Sequence, residues 1–328
     1  MKHGSSLPCY SGSNRIKTQK GQPDFYKKVY IHPMLRCAIL SGVIFLFSGT
    51  AFSQEKKTAT TIPDSLIRKF PLDDQLKETS GLVYWNKLLW THNDDSDNNI
   101  YGIDPATGKT EQIIQFKALK VTDWEELQQD SDYFYIGDVG NNATGTRTNL
   151  RFFKIHKTSL HIDTIRFSYP EQTDFTAKKS NATDFDCEAF LVTDSMIYVF
   201  TKEWNSQKTT LYKIPNKKGI HKATFMQSFQ VNGLITGAAI SPNRKQIVLT
   251  GYTKTVAPFL YLLSDFNTDD FLGGKKKKLK FGGHFLQVES VAFTGNTTVA
   301  VTNEQFMHSL IKSPQQLFLI DLKLFISK

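Results

Sequence analysis

Five stretches of the chain share one pattern of apolar and polar positions. Each begins with acidic or small polar residues, continues through a short apolar run, turns at Asn, Asp, Ser or Gly, and ends with a second apolar run. Two short apolar runs joined by a turn of this composition predict a β-hairpin. The five stretches begin at Lys77, Thr122, Asp184, Leu234 and Gln287.

The spacing of these stretches predicts a repeat architecture. Aligned on one position per stretch, they are 47, 63, 49 and 52 residues apart. Periods near fifty residues with short strands are typical of the blades of a β-propeller. The aligned positions are Glu78, Glu125, Glu188, Gly237 and Glu289.

Further apolar runs complete four antiparallel strands in each of the first four repeats, whereas the fifth repeat has only three. The segment "LIRKFPLD", residues 66–73, supplies the missing strand. A ring closed by strands from both termini leaves no open edge between its first and last blades. We therefore predict an all-β protein: a β-propeller of five four-stranded blades over residues 62–328. A six-bladed ring, with a degenerate blade inside residues 156–184, and a β-sandwich are the alternatives.

The segment before the repeats reads as a targeting sequence. Residues 34–53 combine Arg36, an apolar run and the small-x-small end Ala51-Phe52-Ser53, which predicts a cleaved secretory signal. A membrane anchor is the alternative to a cleaved signal, but the apolar run is short for a membrane-spanning helix. Residues 1–33 are then an upstream extension foreign to the native protein, and residues 54–61 a linker. We expect an exported protein, periplasmic or extracellular, with no membrane span after cleavage.

Net charge and cysteine content limit the partners and the disulfide bonds that can be expected. Residues 1–53 hold seven Lys and Arg and one Asp, a net of +6, which leaves +3 of the total +9 for the mature chain. That balance argues against a nucleic-acid partner, which requires a concentrated basic face. Cys187 is the only cysteine after residue 53, so no internal disulfide is expected. We expect a monomer.

The repeat predicts where the acidic residues lie. In a propeller the first strand of each blade lines the central channel, and the second runs antiparallel to it. The start of the first strand and the end of the second therefore open on one face. This places a ring of candidate metal ligands at one channel mouth: Glu78, Glu125, Glu188 and Glu289. The candidate ligand rim around them comprises Asn93, Asp94, Asp123, Asp138, Asn141, Lys202, Glu203, Asn303 and Glu304.

Carboxylates this close repel one another unless a cation, a basic partner or protons neutralise them. Oxygen donors of this kind suit Ca²⁺, whereas Zn²⁺ prefers His and Cys, and His92 is the only histidine near the repeats' acids. Two other interpretations stay open: the acids lock neighbouring blades by accepting backbone N–H bonds, or they catalyse a reaction.

Two functions follow as hypotheses. The first is a binding module whose acidic channel mouth takes a cation, a small polar ligand or a cell-surface component. The alternative is a Ca²⁺-assisted hydrolase of a phosphoester, lactone or glycoside, with a rim carboxylate as base and Lys202 and Arg147 holding substrate charge. Nucleophilic catalysis has no support, because no G-x-S-x-G motif is present and acids flank Cys187.

Two runs of charged residues each allow a functional and a structural interpretation. "NDDSDNN", residues 93–99, has the composition of a Ca²⁺ loop, but it lacks the Gly and distant Glu of that motif; a solvated turn is the favoured interpretation. "GGKKKKLKF", residues 273–281, could attract an acidic surface, but lysines of this kind more often protect an outer strand from edge-to-edge pairing.

Four segments also resemble a group of secreted bacterial β-propeller proteins over roughly residues 75–325. They are "TDWEEL…YFYIGDVGNN", "DFDCEAFLV…TTLYKIP", "ITGAAISPNRKQIVLTGY" and "QVESVAFT". More distantly, the chain is similar to Ca²⁺-binding propellers of the phytase-like, gluconolactonase and strictosidine-synthase kind, in which acids and amides near the channel bind the metal. That resemblance implies Ca²⁺ at Glu78, Glu125, Glu188 and Glu289.

Overall fold

Short strands joined by tight turns make up nearly all of the regular structure. The computed structural model describes residues 59–94, 97–308 and 311–326. The chain divides into two units, residues 1–55 and 56–328, and all described residues belong to the second. Two 3₁₀ turns, Asp64–Leu66 and Asp74–Leu76, accompany the strands.

Within the described residues, five antiparallel sheets of four strands form the blades, numbered here along the chain. Blade 1 contains Thr79–Trp85, Leu88–Asn93, Asn99–Ile103 and Thr110–Gln115. Blade 2 contains Trp124–Gln129, Tyr133–Asp138, Arg151–His156 and Ile162–Ser168. Blade 3 contains Asp186–Val192, Met196–Lys202, Lys208–Pro215 and Thr224–Gln230. Blade 4 contains Leu234–Ile240, Gln246–Tyr252, Pro258–Ser264 and Lys275–Lys280.

Blade 5 is built from both ends of the described chain. Its first three strands are Val288–Phe293, Thr298–Asn303 and Gln316–Asp321, and its outer strand is Ile67–Pro71. The outer strand pairs antiparallel with Gln316–Asp321. The first strand of every blade packs against the first strands of both neighbouring blades, so the ring closes. The predicted five-bladed propeller with its N-terminal closing strand is confirmed.

The hydrophobic core lies between blades. Five clusters of buried side chains each join two neighbouring blades. Between blades 1 and 2, for example, Trp90 packs against Phe134 with ring centroids 6.3 Å apart. Burial of such large rings supplies most of the free energy that holds adjacent blades together.

Three short additions were not predicted. Thr60–Thr61, assigned from sequence to the linker, pairs in parallel with the outer strand of blade 4. Gly219–Lys222 pairs in parallel with the outer strand of blade 2. A small hairpin joins Phe306–His308 to Ile311–Ser313. The first two cover outer edges that would otherwise be open to pairing with another chain.

The lysine-rich strand of blade 4 is a packed outer strand. Lys278 Nζ lies 3.9 Å from the ring centroid of Phe259 and donates to Val231 O at 2.9 Å. Lys276 Nζ lies over Phe229 at 5.4 Å. Of the other charged run, the described residues 97–99 lead into the third strand of blade 1, and Asp97 accepts a hydrogen bond from Asn99 N at 2.8 Å.

Residues 1–58 lie outside the described residues. The upstream extension 1–33, the signal 34–53 and most of the linker 54–61 therefore stay predictions. In the part of the chain that is described, no helix has the length and apolar character needed to cross a membrane.

The closing strand can be tested by truncation. A chain that begins at residue 72 lacks Ile67–Pro71, so the edge of Gln316–Asp321 loses its hydrogen-bond partners. We expect its melting temperature to fall by about 10 °C or more, or the protein to aggregate, relative to a chain that begins at residue 59. Equal melting temperatures of the two chains in calorimetry would show that the closing strand is dispensable.

Candidate functional site

A β-bulge occurs at the same place in the first strand of every blade. The pairing with the second strand shifts register at residues 80/83, 124/126, 187/189, 235/237 and 288/290. A bulge leaves one residue unpaired and redirects its side chain. The residues in the bulges are Gly81 and Leu82 in blade 1, then Glu125, Glu188, Thr236 and Glu289.

The bulges place three of the four predicted ligands in equivalent positions. Glu125, Glu188 and Glu289 are all buried, with exposed fractions of 6%, 3% and 6%. Glu78 is not their equivalent. The blade 1 bulge is formed by Gly81, whose φ of 64° suits glycine, and Glu78 lies exposed before the strand begins.

Two groups of carboxyls form at this face. The inner group comprises Glu125, Asp186 and Glu188, and one oxygen from each lies within 4.8 Å of the others. The outer group comprises Glu78, Asp94 and Glu304, which meet the same criterion but are exposed or half-buried. Of the four predicted ring acids, Glu125 and Glu188 thus belong to the inner group and Glu78 to the outer group, while Glu289 belongs to neither.

Asp186 is a member of the inner group that the sequence analysis missed. Its carboxylate accepts hydrogen bonds from Asn141 N at 2.7 Å and from Trp204 Nε1 at 2.8 Å. The available signal was its position two residues before Glu188, on the strand that lines the channel.

The loop after the second strand of blade 2 covers two carboxyls of this face. A Cβ at Gly140 would collide with Glu125 Oε1 and Asp123 Oδ2. Only glycine allows the loop backbone to pass so close to these oxygens. Asp123 and Glu125 thus share a confined space beneath the loop.

Lys202 supplies the positive charge next to the inner group. Its Nζ lies 2.5 Å from Glu188 Oε2, and its side chain is almost fully buried. The ammonium lies 4.8 Å from the ring centroid of Trp204 and 5.4 Å from that of Tyr252. Burial acts most strongly on the pKa of Lys202 and lowers it, but the charges of the neighbouring acidic groups, Glu188 first and then others including Glu289 and Asp186, together outweigh burial and hold this pKa well above the ordinary value.

Asp138 lies at the same face, but two arginine side chains already balance its charge. Arg147 Nη2 and Arg151 Nη2 each lie 2.7 Å from one of its oxygens, and Asp123 N donates to it at 3.2 Å. Because its carboxylate is buried and paired with two guanidinium groups, Asp138 is not open to a ligand.

Four more rim residues tie loops together. Asn93 Nδ2 donates to Gln75 O at 2.9 Å, and Asn303 Nδ2 donates to Pro314 O at 2.9 Å. Of the other two residues, Asn141 makes a hydrogen bond between blades 2 and 3, and Glu203 makes one within blade 3. Asn141 Nδ2 donates to Phe185 O at 3.0 Å, and Glu203 accepts from Thr210 Oγ1 at 2.5 Å.

Glu126, beside the bulge of blade 2, crosses the channel. Its Oε1 accepts from Leu127 N at 2.9 Å and from Leu82 N at 3.3 Å, and its Oε2 accepts from Ala238 N at 3.1 Å. One fully buried carboxyl therefore joins the first strands of blades 1, 2 and 4. The interpretation of channel acids as blade locks holds for this residue.

Burial raises the pKa of the carboxyls at the mouth. Burial and then the Glu188 charge hold the pKa of Glu125 well above its ordinary value. Burial and then Glu289 do the same for Glu304. Burial and the Asp186 charge raise the pKa of Asp123 to about 6. Each of these groups therefore binds its proton more tightly than an exposed carboxyl does.

Comparisons with known proteins add little beyond the fold. No family model matches the chain, and no curated protein matches it. Similar solved structures include the Neurospora crassa Pan2 WD40 domain, at 12% identity and a TM-score of 0.39, covering 80% of this chain and 72% of that one. Others are U3-55K, at 10% identity and 0.37, covering 74% and 68%, and the RRP9 WD40 repeats, at 8% and 0.41, covering 80% and 99%.

At these TM-scores the similarities do not bear on function. The resemblance to secreted bacterial propellers and to Ca²⁺-binding propellers gains no support from them and stays a prediction. The propeller itself is shown by the sheet order and the closed ring of first strands.

The role of Glu126 can be measured directly. Glu126→Ala leaves three buried backbone N–H groups without a partner, so we expect a loss of about 3 kcal/mol or more in the free energy of unfolding. Glu126→Gln keeps one acceptor oxygen and should fall between this variant and wild type. Denaturant unfolding checks the order, with Glu111→Ala, on an exposed outer strand, as control. A Glu126→Ala protein as stable as the control would refute the lock.

The raised pKa values predict an unusual pH dependence in metal-free protein. Since Glu125, Glu188 and Glu304 bind protons more tightly in the folded than in the unfolded state, the stability that they contribute is full below the ordinary carboxyl pKa of 4.5, and the free energy of unfolding should fall as pH rises from there through their raised pKa values. His92, whose pKa burial lowers to about 4, contributes only at lower pH. Glu125→Gln should flatten the slope, measured in chelator; a slope that rises with pH would contradict the assignment.

Proposed function

We propose that the protein is a propeller binding module that holds a cation among buried carboxyls at one mouth of its central channel. The observation that carries the proposal is the inner group: Glu125, Asp186 and Glu188 converge within 4.8 Å in a buried site. Asp123 shares the space under the Gly140 loop. Burying several carboxyls together is costly, and a bound cation removes that cost.

The local charges are unbalanced. Counting only described residues, the acids at this mouth outnumber the buried Lys202, which is paired with Glu188. Arg147 is committed to Asp138 and lies 3.9 Å from Asp123. The acids concerned are Glu78, Asp94, Asp123, Glu125, Asp186, Glu188, Glu289 and Glu304.

The donor set fits Ca²⁺ best among metal ions. Every candidate ligand offers oxygen, which Ca²⁺ prefers. Cys187 does not join them, because its Sγ lies in the apolar cluster between blades 2 and 3, and burial raises the pKa of its thiol. Glu125 and Asp123 would bind the cation, while Asp186 and Glu188 would share oxygens that already accept hydrogen bonds.

Export through the predicted signal belongs to the same proposal. Propeller modules outside the cell meet Ca²⁺ at concentrations that even weak sites can use. A cell-surface component or a small polar cation could occupy the same mouth, since the carboxyls attract positive charge whatever the shape of the ligand. The fold alone specifies no chemistry, so the ligand class rests on these side chains.

The test is a melting curve of wild type in Ca²⁺ and in chelator. At a hundredfold excess of Ca²⁺ over its Kd, the folded state gains about 2.7 kcal/mol, or about 5 °C in melting temperature. Glu125→Gln should lose this gain and be at least as stable as wild type in chelator, because it removes repulsion. Glu188 is a poor choice for substitution, since its loss would leave Lys202 buried and unpaired.

Glu111→Gln is the matched control and should keep the gain in Ca²⁺. A wild-type melting temperature indifferent to Ca²⁺, with Glu125→Gln destabilised in both conditions, would leave these acids structural and overturn the proposal. Screening phosphoesters, lactones and glycosides separates binding from catalysis. Turnover that Glu125→Gln abolishes would replace the binding module by the Ca²⁺-assisted hydrolase.

A further inference from the structure

A cavity of about 390 Å³ lies at the end of the channel opposite the acidic mouth. Its wall includes residues at or next to the carboxyl ends of four first strands: Tyr84 in blade 1, Gln129 in blade 2, Ile240 in blade 4 and Phe293 in blade 5. This cavity is called the far cup below. Its volume falls in the range of about 300–1,000 Å³ that is typical of sites for small molecules.

Side chains that cross the channel separate the far cup from the acidic mouth. Gln128 lines the cup, and its Nε2 donates to Ala238 O at 2.8 Å. Two residues earlier on the same strand, Glu126 accepts hydrogen bonds from blades 1 and 4. Because blades 2 and 4 are not neighbours in the ring, both side chains span the channel. A ligand in the far cup is therefore kept apart from the carboxyls of the inner group.

Two alanines leave the space that the far cup occupies. Ala239 and Ala292 are the next-to-last residues of the first strands in blades 4 and 5, and both line the cup. The same position holds Gln128 in blade 2 and Leu191 in blade 3. Protein interiors are closely packed, so a larger side chain at either alanine would fill the cup.

The lining of the far cup is uncharged. Of the eleven described residues that line it, seven have apolar side chains, and the other four are Tyr84, Gln128, Gln129 and Thr294. An ionised ligand would lose its hydration there without gaining a counter-ion, which is costly. The cup therefore favours a neutral ligand with a mainly apolar body, in contrast to the acidic mouth at the other end of the channel.

The polar side chains of the far cup differ in what they can offer a ligand. Gln129 has both ends of its amide engaged: its Nε2 donates to Tyr84 O at 2.8 Å, and its Oε1 accepts from Lys157 Nζ at 2.8 Å. Gln128 is buried, and the bond from its Nε2 to Ala238 O leaves the amide oxygen Oε1 as an acceptor. A hydroxyl donor on the ligand would satisfy that oxygen.

We propose that the far cup binds a neutral aromatic molecule that carries one hydroxyl group. The ring of the ligand packs among Tyr84, Ile240 and Phe293, where apolar and aromatic surface is removed from water. Its hydroxyl donates to Gln128 Oε1. This site is separate from the proposed cation site and needs no metal.

A sugar fits the far cup less well than an aromatic alcohol does. A sugar carries many hydroxyl groups, and each one that is buried without a partner costs free energy. The amide of Gln129 is already engaged at both ends, so too few polar atoms of the lining are open to pair with a ring of hydroxyls.

The probe is 2-naphthol, titrated by isothermal calorimetry in chelator near neutral pH. Naphthalene-2-sulfonate keeps the rings and adds a charge, so we expect it to bind at least about tenfold more weakly. 2-Methoxynaphthalene lacks the donor and should bind about threefold more weakly or worse. Equal binding of 2-naphthol and the sulfonate would overturn the proposal, as would binding of maltose in place of 2-naphthol.

Two variants locate the probe. Ala239→Leu adds atoms inside the far cup and should weaken 2-naphthol by about tenfold or more. Tyr84→Ala removes a ring at its edge and should weaken 2-naphthol by about threefold or more. The matched controls are Ala106→Leu, in an exposed turn of blade 1, and Phe225→Ala, on the outer strand of blade 3. Both controls should bind like wild type.

Melting temperatures separate a filled cup from a misfolded protein. Should Ala239→Leu fail to fold, Tyr84→Ala decides the question, since Tyr84 is only partly buried at the edge of the cup. If folded Tyr84→Ala and Ala239→Leu proteins bind 2-naphthol as tightly as their controls, the far cup is not the site and the proposal is wrong.

Failure of this inference can be told from failure of the proposed function. Glu125→Gln should lose the Ca²⁺-dependent gain in melting temperature and keep 2-naphthol binding, because Glu126 and Gln128 lie between the two sites. A Ca²⁺ response in wild type without binding of 2-naphthol would overturn the far cup alone. Loss of 2-naphthol binding in Glu125→Gln would place the probe at the acidic mouth and also overturn the far cup.

Discussion

The first strand of each blade is an edge that faces a closed channel, so its backbone groups need partners that no neighbouring strand supplies. Buried side chains meet this need. Glu126 accepts from three strands, Gln128 Nε2 donates to Ala238 O at 2.8 Å, and Thr236 Oγ1 donates to Val288 O at 2.6 Å. An unpaired buried backbone group costs about as much as a lost hydrogen bond. The polar channel is therefore a condition for closing the ring, before any ligand is considered.

The same condition separates two kinds of acid at the mouth. The carboxyl oxygens of Asp138 accept hydrogen bonds from guanidinium groups, and those of Glu126 accept hydrogen bonds from backbone N–H groups. Contacts within the protein therefore compensate for the burial of both carboxyls. Glu125 and Glu304 lie instead beside other carboxyls, whose charges add to burial in raising their pKa values, whereas burial without a like charge raises the pKa of Glu126. Compensated acids hold the blades in place, and the uncompensated ones are where a cation gains most. Perturbed carboxyls in an otherwise satisfied scaffold indicate a binding role.

Much of the fold followed from the sequence because each blade repeats one hairpin pattern, and the ring needed one strand that only Ile67–Pro71 could supply. The residues of the candidate site were predicted less accurately from the sequence than the fold was. The alignment took Glu78 for the blade 1 equivalent of Glu125, but the bulge there belongs to Gly81. Asp138 looked like a ligand because its partner Arg147 comes from a loop that no local pattern connects to it. The strand Thr60–Thr61 is too short to carry a periodicity.

If the mouth holds the proposed cation, protons and the cation compete for the same oxygens. With no cation present, burial and mutual repulsion favour the protonated carboxyls, so the folded state tolerates them at a modest cost. A cation must displace those protons, and its apparent affinity therefore weakens as the pH falls toward the raised pKa values. Lys202 moderates this competition at Glu188, because its ammonium already lies 2.5 Å from that carboxylate. Under the proposed function, selectivity for a charged ligand would come from the uneven distribution of acids among the bulges, because Thr236 and Gly81 leave two blades without an acid.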